Sequence, residues 1–279
     1  MDCYFDRIRM QAKFSALTLI CLILFACTNA QNTSTQYFGS EVEVVLPQYW
    51  KIFAVTDKII LLNGNVKENG ERYSALFRSE NGGENWVETH RPLMPVSEKM
   101  KHYGGYSNLS VMDNFEFSFL DSGSGWLISN WGAATYGAVA MTIEYTSDFG
   151  KTWKRLSEIV PSPQYQFLQA SFSDEKHGQI DILYENTLND RIAYFTTQDG
   201  GVTWKETGSL SLRETFWNGN KVDDYKAVDA YIQHNYPKSP HETSFGQYTW
   251  KIDFQESPSQ IFIHKKSINN SWERIAVFP

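Results

Sequence analysis

The sequence predicts an all-β protein built from repeated units, and three observations carry that prediction. A turn-like stretch recurs three times, and a second short motif runs in phase with it. The segments between them alternate apolar and polar residues with a period of two.

The recurring stretch is clearest at Thr197-Gln198-Asp199-Gly200-Gly201-Val202-Thr203-Trp204. The same layout (Ser/Thr, x, Asp/Asn, x, Gly, x, Thr/Asn, Trp) stands at Ser79 to Trp86, with Asn81 and Gly83. It stands again at Thr146 to Trp153, with Asp148 and Gly150. A weak fourth copy, Ser267 to Trp272, keeps only the closing Ser271-Trp272. Aspartate or asparagine can accept hydrogen bonds from turn amides, and glycine takes backbone angles closed to other residues. These residues therefore read as turn-formers. A phosphate cradle is excluded, because no Lys-Ser/Thr follows the glycines and no helix follows them.

The second motif is Phe119-x-Asp121-x-x-x-Gly125, repeated as Phe172-x-Asp174-x-x-x-Gly178. Its aspartate precedes that of the following box by 27 residues in one copy and 25 in the other; Asp57 precedes Asn81 by 24. Each unit thus holds an upstream and a downstream turn framed by strands. Phe115, Phe117 and Phe119 alternate with Glu116 and Ser118; Ile180, Ile182 and Tyr184 alternate with Asp181 and Leu183. Met141, Ile143 and Tyr145 lead into the second box. Such alternation predicts half-buried strands. No long amphipathic helix is expected beyond the N-terminal segment.

That segment stands apart. Arg7, Arg9 and Lys13 precede an apolar run from Phe14 to Ala26, long enough for a signal-peptide core and too short to span a bilayer. It ends in Leu24-Phe25-Ala26-Cys27, which resembles the lipobox of bacterial lipoproteins. The resemblance implies cleavage of 1–26 and a lipid on Cys27; a cut elsewhere would leave Cys27 a free thiol. Residues 27–39 then form a polar tether and 40–279 the folded domain. Cys3 and Cys21 would be removed, leaving no disulfide. Thr28 after the lipid site favours the outer membrane, by the rule of enteric bacteria. The expected location is the cell envelope, facing the periplasm or exterior.

The three boxes resemble Asp-boxes, also called BNR repeats, of sialidases, sortilin-type receptors and photosystem II assembly factors. Those families are β-propellers with four-stranded antiparallel blades. The resemblance implies that the box joins the third and fourth strands of a blade, and that its tryptophan packs between strands or blades. A blade takes about 40–50 residues, whereas the tryptophans are spaced by 67, 51 and 68. Four or five blades are expected, two with insertions. Tyr248–Phe254, Gln260–Lys265 and Trp272–Phe278 read as strands of the last blade, which an N-terminal strand at Glu41–Leu46 would complete.

Three insertions remain: residues 91–114, 129–140 and 212–247. They carry the candidate partner-binding rings Tyr106; Trp131 and Tyr136; and Phe216, Trp217, Tyr225 and Tyr231. Trp217 and Tyr225 are the foremost anchors, since aromatic residues on long loops are the usual interface hot spots. The alternative is that these rings plug the channel or pack between blades.

The chain carries net charge −7. Residues 1–26 contribute three cations against Asp2 and Asp6, so the remainder stands at −8. An acidic domain without a basic cluster argues against nucleic acid and suits a basic protein partner. The histidines lack ligand spacing, so no metal and no cofactor is expected. A sialidase needs three converging arginines and a Tyr/Glu pair. The arginines form no evident triad, and Glu144-Tyr145 could suggest the pair, but Tyr145 alternates with apolar strand residues and is more simply core. The expectation is a non-enzymatic, lipid-anchored propeller binding a macromolecule, as scaffold, assembly factor or immunity protein. The alternative is a sialidase-like glycoside hydrolase or carbohydrate-binding propeller.

Overall fold

A computed structural model describes residues 42–45, 50–93, 109–133, 137–160, 165–184, 191–216, 221–236, 241–256 and 259–278. The expected signal, Cys27 and the expected tether lie outside this set, as do Tyr106, Tyr136 and Trp217.

The described strands form four antiparallel sheets of four-stranded type, the blades of a β-propeller. The first contains β2 (Lys51–Ala54), β3 (Ile60–Glu68), β4 (Glu71–Ser79) and β5 (Val87–His90). A short β1 (Val42–Val45) pairs with the far half of β3, Val42 opposite Glu68. The second sheet runs through β6 (Leu109–Phe119), β7 (Gly125–Ala133), β8 (Gly137–Thr146) and β9 (Lys154–Ile159). The third holds β10 (Tyr165–Phe172), β11 (Gly178–Tyr184), β12 (Arg191–Thr197) and β13 (Lys205–Ser211). Then come two helices, α1 (Leu212–Phe216) and α2 (Lys221–Asn235). The fourth sheet is β14 (Glu242–Phe245), β15 (Tyr248–Glu256), β16 (Ser259–Ser267) and β17 (Glu273–Phe278).

Two expectations are corrected here. The N-terminal strand completes no last blade: β1 joins the first sheet, and β14 supplies the fourth strand of the last. The β14–β15 hairpin turns at Gly246 with φ 58°, and so short a loop closes at little entropic cost. The segment 212–247 is also no plain loop. It holds a 15-residue helix, and its apolar Val228, Tyr231 and Ile232 sit at helical spacing on the third sheet.

The three boxes are superposable turns between third and fourth strands. In each, the first hydroxyl donates to the Asp/Asn side chain: Ser79 to Asn81 at 2.9 Å, Thr146 to Asp148 at 2.7 Å, Thr197 to Asp199 at 2.8 Å. The same hydroxyl accepts the box-glycine N–H at 2.8, 3.0 and 2.9 Å. The tryptophan Nε1 donates back to the glycine carbonyl at 2.7, 3.0 and 3.1 Å. The glycines have φ of 97°, 79° and 98°, a region costly for any side chain.

Each box wedges against the preceding sheet. The carbonyl just before the box glycine accepts a hydrogen bond across the boundary. Trp250 Nε1 reaches Gly82 at 2.8 Å, Arg78 Nε reaches Phe149 at 3.0 Å, and Trp126 Nε1 reaches Gly200 at 2.7 Å. Apolar clusters fill the same boundaries. Trp50, Trp86, Trp250 and Phe278 lie between sheets one and four. Leu61, Leu76, Phe117 and Leu127 lie between one and two, and Trp126, Ile143, Phe172 and Ile182 between two and three. The middle strands of the first two sheets are therefore largely buried on both faces. Thr142 and Glu144 on β8 are as fully enclosed as Met141 and Ile143.

Candidate functional site

In an antiparallel meander the first and third turns lie at one end of the sheet, and the second turn and the exit at the other. The box turns thus mark one end of the propeller. The exits after β5 and β13 and the β7–β8 hairpin, where the insertions fall, mark the opposite end.

At that opposite end the first sheet gathers two carboxylates, a phenol and a guanidinium. Tyr73 Oη lies 3.2 Å from Glu68 Oε2 and 3.4 Å from Glu88 Oε2. Arg91 donates to Glu88 at 2.7 Å, to Glu68 at 3.3 Å and to Tyr73 Oη at 3.0 Å. Its guanidinium carbon also stands 3.8 Å over the Tyr73 ring. Register brings them together: Val66 opposes Tyr73, Glu88 opposes Phe77, and Glu68 closes β3 beside the turn to β4. Burial, then Glu88, pushes the Tyr73 phenol up to about 12 against the pull of Arg91. Tyr73 therefore keeps its proton at neutral pH and offers it to one carboxylate at a time. Glu68 and Arg91 remain accessible to solvent, their side chains 37% and 53% exposed.

A second polar group is enclosed between sheets one and two. Glu144 accepts from His90 Nε2 at 2.7 Å, for one assignment of the imidazole proton, and from the Leu93 amide at 3.0 Å. His90 stacks on Trp153. Tyr145, next in sequence, turns to the other face, where its hydroxyl meets Ser124. Glu144 and Tyr145 thus form no nucleophile pair, because neighbours on a strand face opposite ways.

The described arginines are dispersed over different sheets. Arg78 binds Phe149 and Glu80 at the box end, Arg155 meets Glu158, Arg191 meets Glu206, and Arg274 lies over Phe262. The described residues assemble no sialidase-type arginine triad. Nor do they hold any group of three or more His, Cys, Asp or Glu suited to a metal.

The candidate partner-binding rings are placed as follows. Trp131 is 5% exposed, packs between sheets one and two, and donates to Thr142 Oγ1 at 3.0 Å. It presents no ring to a partner. Phe216 and Tyr231 meet at a tilt, ring centroids 5.1 Å apart, and pack on Leu168, Leu183 and Ile192 of the third sheet. Tyr225 lies on α2, and its side chain is outside the described set. Tyr236, absent from the candidates, is buried at the end of the helical insert and donates to Asp181 Oδ2 at 3.2 Å. Asp181 also accepts from Gln169 at 3.0 Å and Gln179 at 2.6 Å. Its place opposite Gln169 in the β10–β11 register builds that group. The Tyr73 cluster was missed as well. Its signal in the sequence was the run of Glu68, Glu71 and Tyr73 flanking the Asn69-Gly70 turn.

No family model and no curated protein matches the chain. Solved structures similar to it include a protein of unknown function from Dyadobacter fermentans (TM-score 0.42, 11% identity, covering 85% of this chain and 70% of that one). Another is the exo-β-1,3-galactanase of Phanerochaete chrysosporium (TM-score 0.38, 12% identity, 80% of this chain and 48% of that one). A third is the α-L-arabinanase of Penicillium chrysogenum (TM-score 0.39, 9% identity, 83% and 68%). The chain spans about half the length of the galactanase. Those with a stated activity are glycoside hydrolases. With Trp131, Phe216 and Tyr231 engaged in packing, the expectation of a non-enzymatic, protein-binding scaffold or immunity protein, which rested on those rings, does not stand.

Proposed function

We propose that the chain is an Asp-box propeller that handles a carbohydrate at its insertion-bearing end, with Glu68 and Glu88 as the paired carboxylates of a glycoside hydrolase. One observation carries the reading: both carboxylates reach one phenol oxygen, 3.2 and 3.4 Å away. They therefore lie no farther apart than the roughly 5–10 Å that separates the acid and its partner in most glycosidases. Tyr73 holds the proton between them and Arg91 orients both. The dispersed arginines disfavour sialic acid and favour a neutral glycoside.

A panel of aryl glycosides and a glycan array test this. Glu68→Gln and Glu88→Gln are each expected to lower turnover roughly 100-fold or more, the usual worth of a positioned acid or base, with melting temperatures close to wild type. A folded protein without glycan binding or turnover, or one indifferent to both substitutions, overturns the reading.

The same proposal places the domain in the bacterial envelope, anchored through Cys27, with the outer membrane favoured. The support is the lipobox-like Leu24-Phe25-Ala26-Cys27 and the polar tether after it. Cys27→Ala is expected to release the domain into the soluble fraction and abolish palmitate labelling. A variant that stays processed and membrane-bound would reject the anchor.

A further inference from the structure

The boundary between sheets one and two contains polar atoms that no described residue satisfies. On β3, Leu61 packs into this boundary whereas Ile60 and Leu62 face the fourth sheet. The alternation therefore turns Asn63 toward the second sheet. On β7, Leu127 and Trp131 face the first sheet, and Ser129 between them does the same. Both residues are 0% exposed. Among the described residues, neither amide atom of Asn63 finds a hydrogen-bond partner, and neither does Ser129 Oγ.

A hydrogen bond between their sheet neighbours spans the two rows. Lys51 opposes Asn63 on one sheet and Phe115 opposes Ser129 on the other. Lys51 Nζ crosses the boundary to the Phe115 carbonyl at 2.9 Å. Thr142 flanks Ser129 on the far side, also fully enclosed. A carboxamide offers two donors and an acceptor with two lone pairs, and a hydroxyl offers both roles. Buried polar groups almost always find partners, and enclosed water supplies them where side chains do not.

We infer that this boundary is a built site for internal water, bridging Asn63 to Ser129 with Thr142 within the same ring of partners. An uncharged guest fits best, because Asn63 and Ser129 are uncharged and provide both donors and acceptors, while the Lys51 ammonium is already engaged by the Phe115 carbonyl. Water is the occupant that needs only two to four such contacts and the least room. The inference stands whether or not the chain handles carbohydrate.

Two measurements test it. The wild-type protein, crystallised and refined to high resolution, is expected to show ordered density within hydrogen-bond distance of the Asn63 amide and Ser129 Oγ. Asn63→Leu, Ser129→Ala and the double variant are then compared by thermal melts. Groups joined through one guest give non-additive shifts, since removing either strands the other. The double variant should therefore lose less than the sum of the singles. A boundary without density in the wild-type map, or a direct Asn63–Ser129 bond there, overturns the inference whatever the variants do. Strictly additive shifts also count against it.

Discussion

Thr146 shows how much one hydroxyl does in these turns. It donates to Asp148, accepts the Gly150 amide at 3.0 Å, and is itself 1% exposed. Thr146→Val keeps the shape and strands that buried amide, so a loss of about 1–3 kcal/mol is expected in urea unfolding. The box aspartate of the third repeat titrates. Asp199 accepts from Thr203 Oγ1 at 2.6 Å and the Thr203 amide at 2.8 Å. The Thr203 side chain and amide, then Thr197, pull its pKa from 3.8 down to about 2. A folded-state value below the unfolded one means the carboxylate form is favoured by folding. Its contribution is complete above 3.8 and fades as pH falls through about 2. Asp174 is drawn to about 2 by His177 and the Lys176 amide, so the two share one window. Melting temperatures between pH 5 and 2 should fall less steeply for Asp199→Asn and for Asp174→Asn than for wild type. Parallel slopes in all three would show that these turns do not hold their acids in the ionised form.

At the level of elements, the boxes, most of the strands and the turn ends were legible in the sequence because each is a local device. The Asp, Gly and Trp of a box satisfy one another within eight residues. What the alternation could not show was the second neighbour. Met141, Ile143 and Tyr145 read as the inner face of a half-buried strand, yet Thr142 and Glu144 between them are equally enclosed. In a propeller the two faces of a middle strand meet two different sheets, so polarity there marks a hydrogen-bonded boundary instead of solvent. Glu144, Asp181, Asn63 and Ser129 were hidden for that reason. The pairing of Glu68 with Glu88 was hidden by distance along the chain. The helix was hidden by its composition: Lys221 to Asn235 carries three aspartates, and its apolar stripe is a single turn wide. That stripe has a consequence. Leu212 is 1% exposed at the foot of the insert, so Leu212→Ala should cost about 2–5 kcal/mol. The glycoside turnover proposed above should be unchanged at 25 °C, because the insert covers the third sheet while Glu68 and Glu88 sit on the first. A Leu212→Ala protein of wild-type stability would mean that the insert is not part of the core.

Across the whole molecule the boundaries between sheets are not equivalent. Three of them carry a box wedge, a hydrogen bond to the carbonyl before its glycine, and an apolar cluster. The fourth, between sheets three and four, differs among the described residues. The weak repeat there leaves Trp272 on its own sheet, flanked by Lys251 and Lys266 at 5.1 and 4.3 Å. The apolar face of the third sheet is capped by α1 and α2 instead of by a neighbouring sheet. On β16, Phe262 and His264 are only half-buried, where Leu76, Thr142 and Glu144, on the matching strands of the first two sheets, are fully enclosed. Local opening is cheapest where apolar contact is thinnest, so the ring should open at this boundary before it unfolds. Native-state hydrogen exchange measures that directly. Amides of α2 should exchange through an opening well below the global free energy, and at lower denaturant than those of β7, β8 or β11. Tyr236→Phe, which removes the donor to Asp181 at 3.2 Å, should accelerate exchange in α2 while leaving β7 and β8 unaffected. If α2 and β8 instead exchange together, with one dependence on denaturant, the ring opens only by unfolding and the fourth boundary is as firm as the other three.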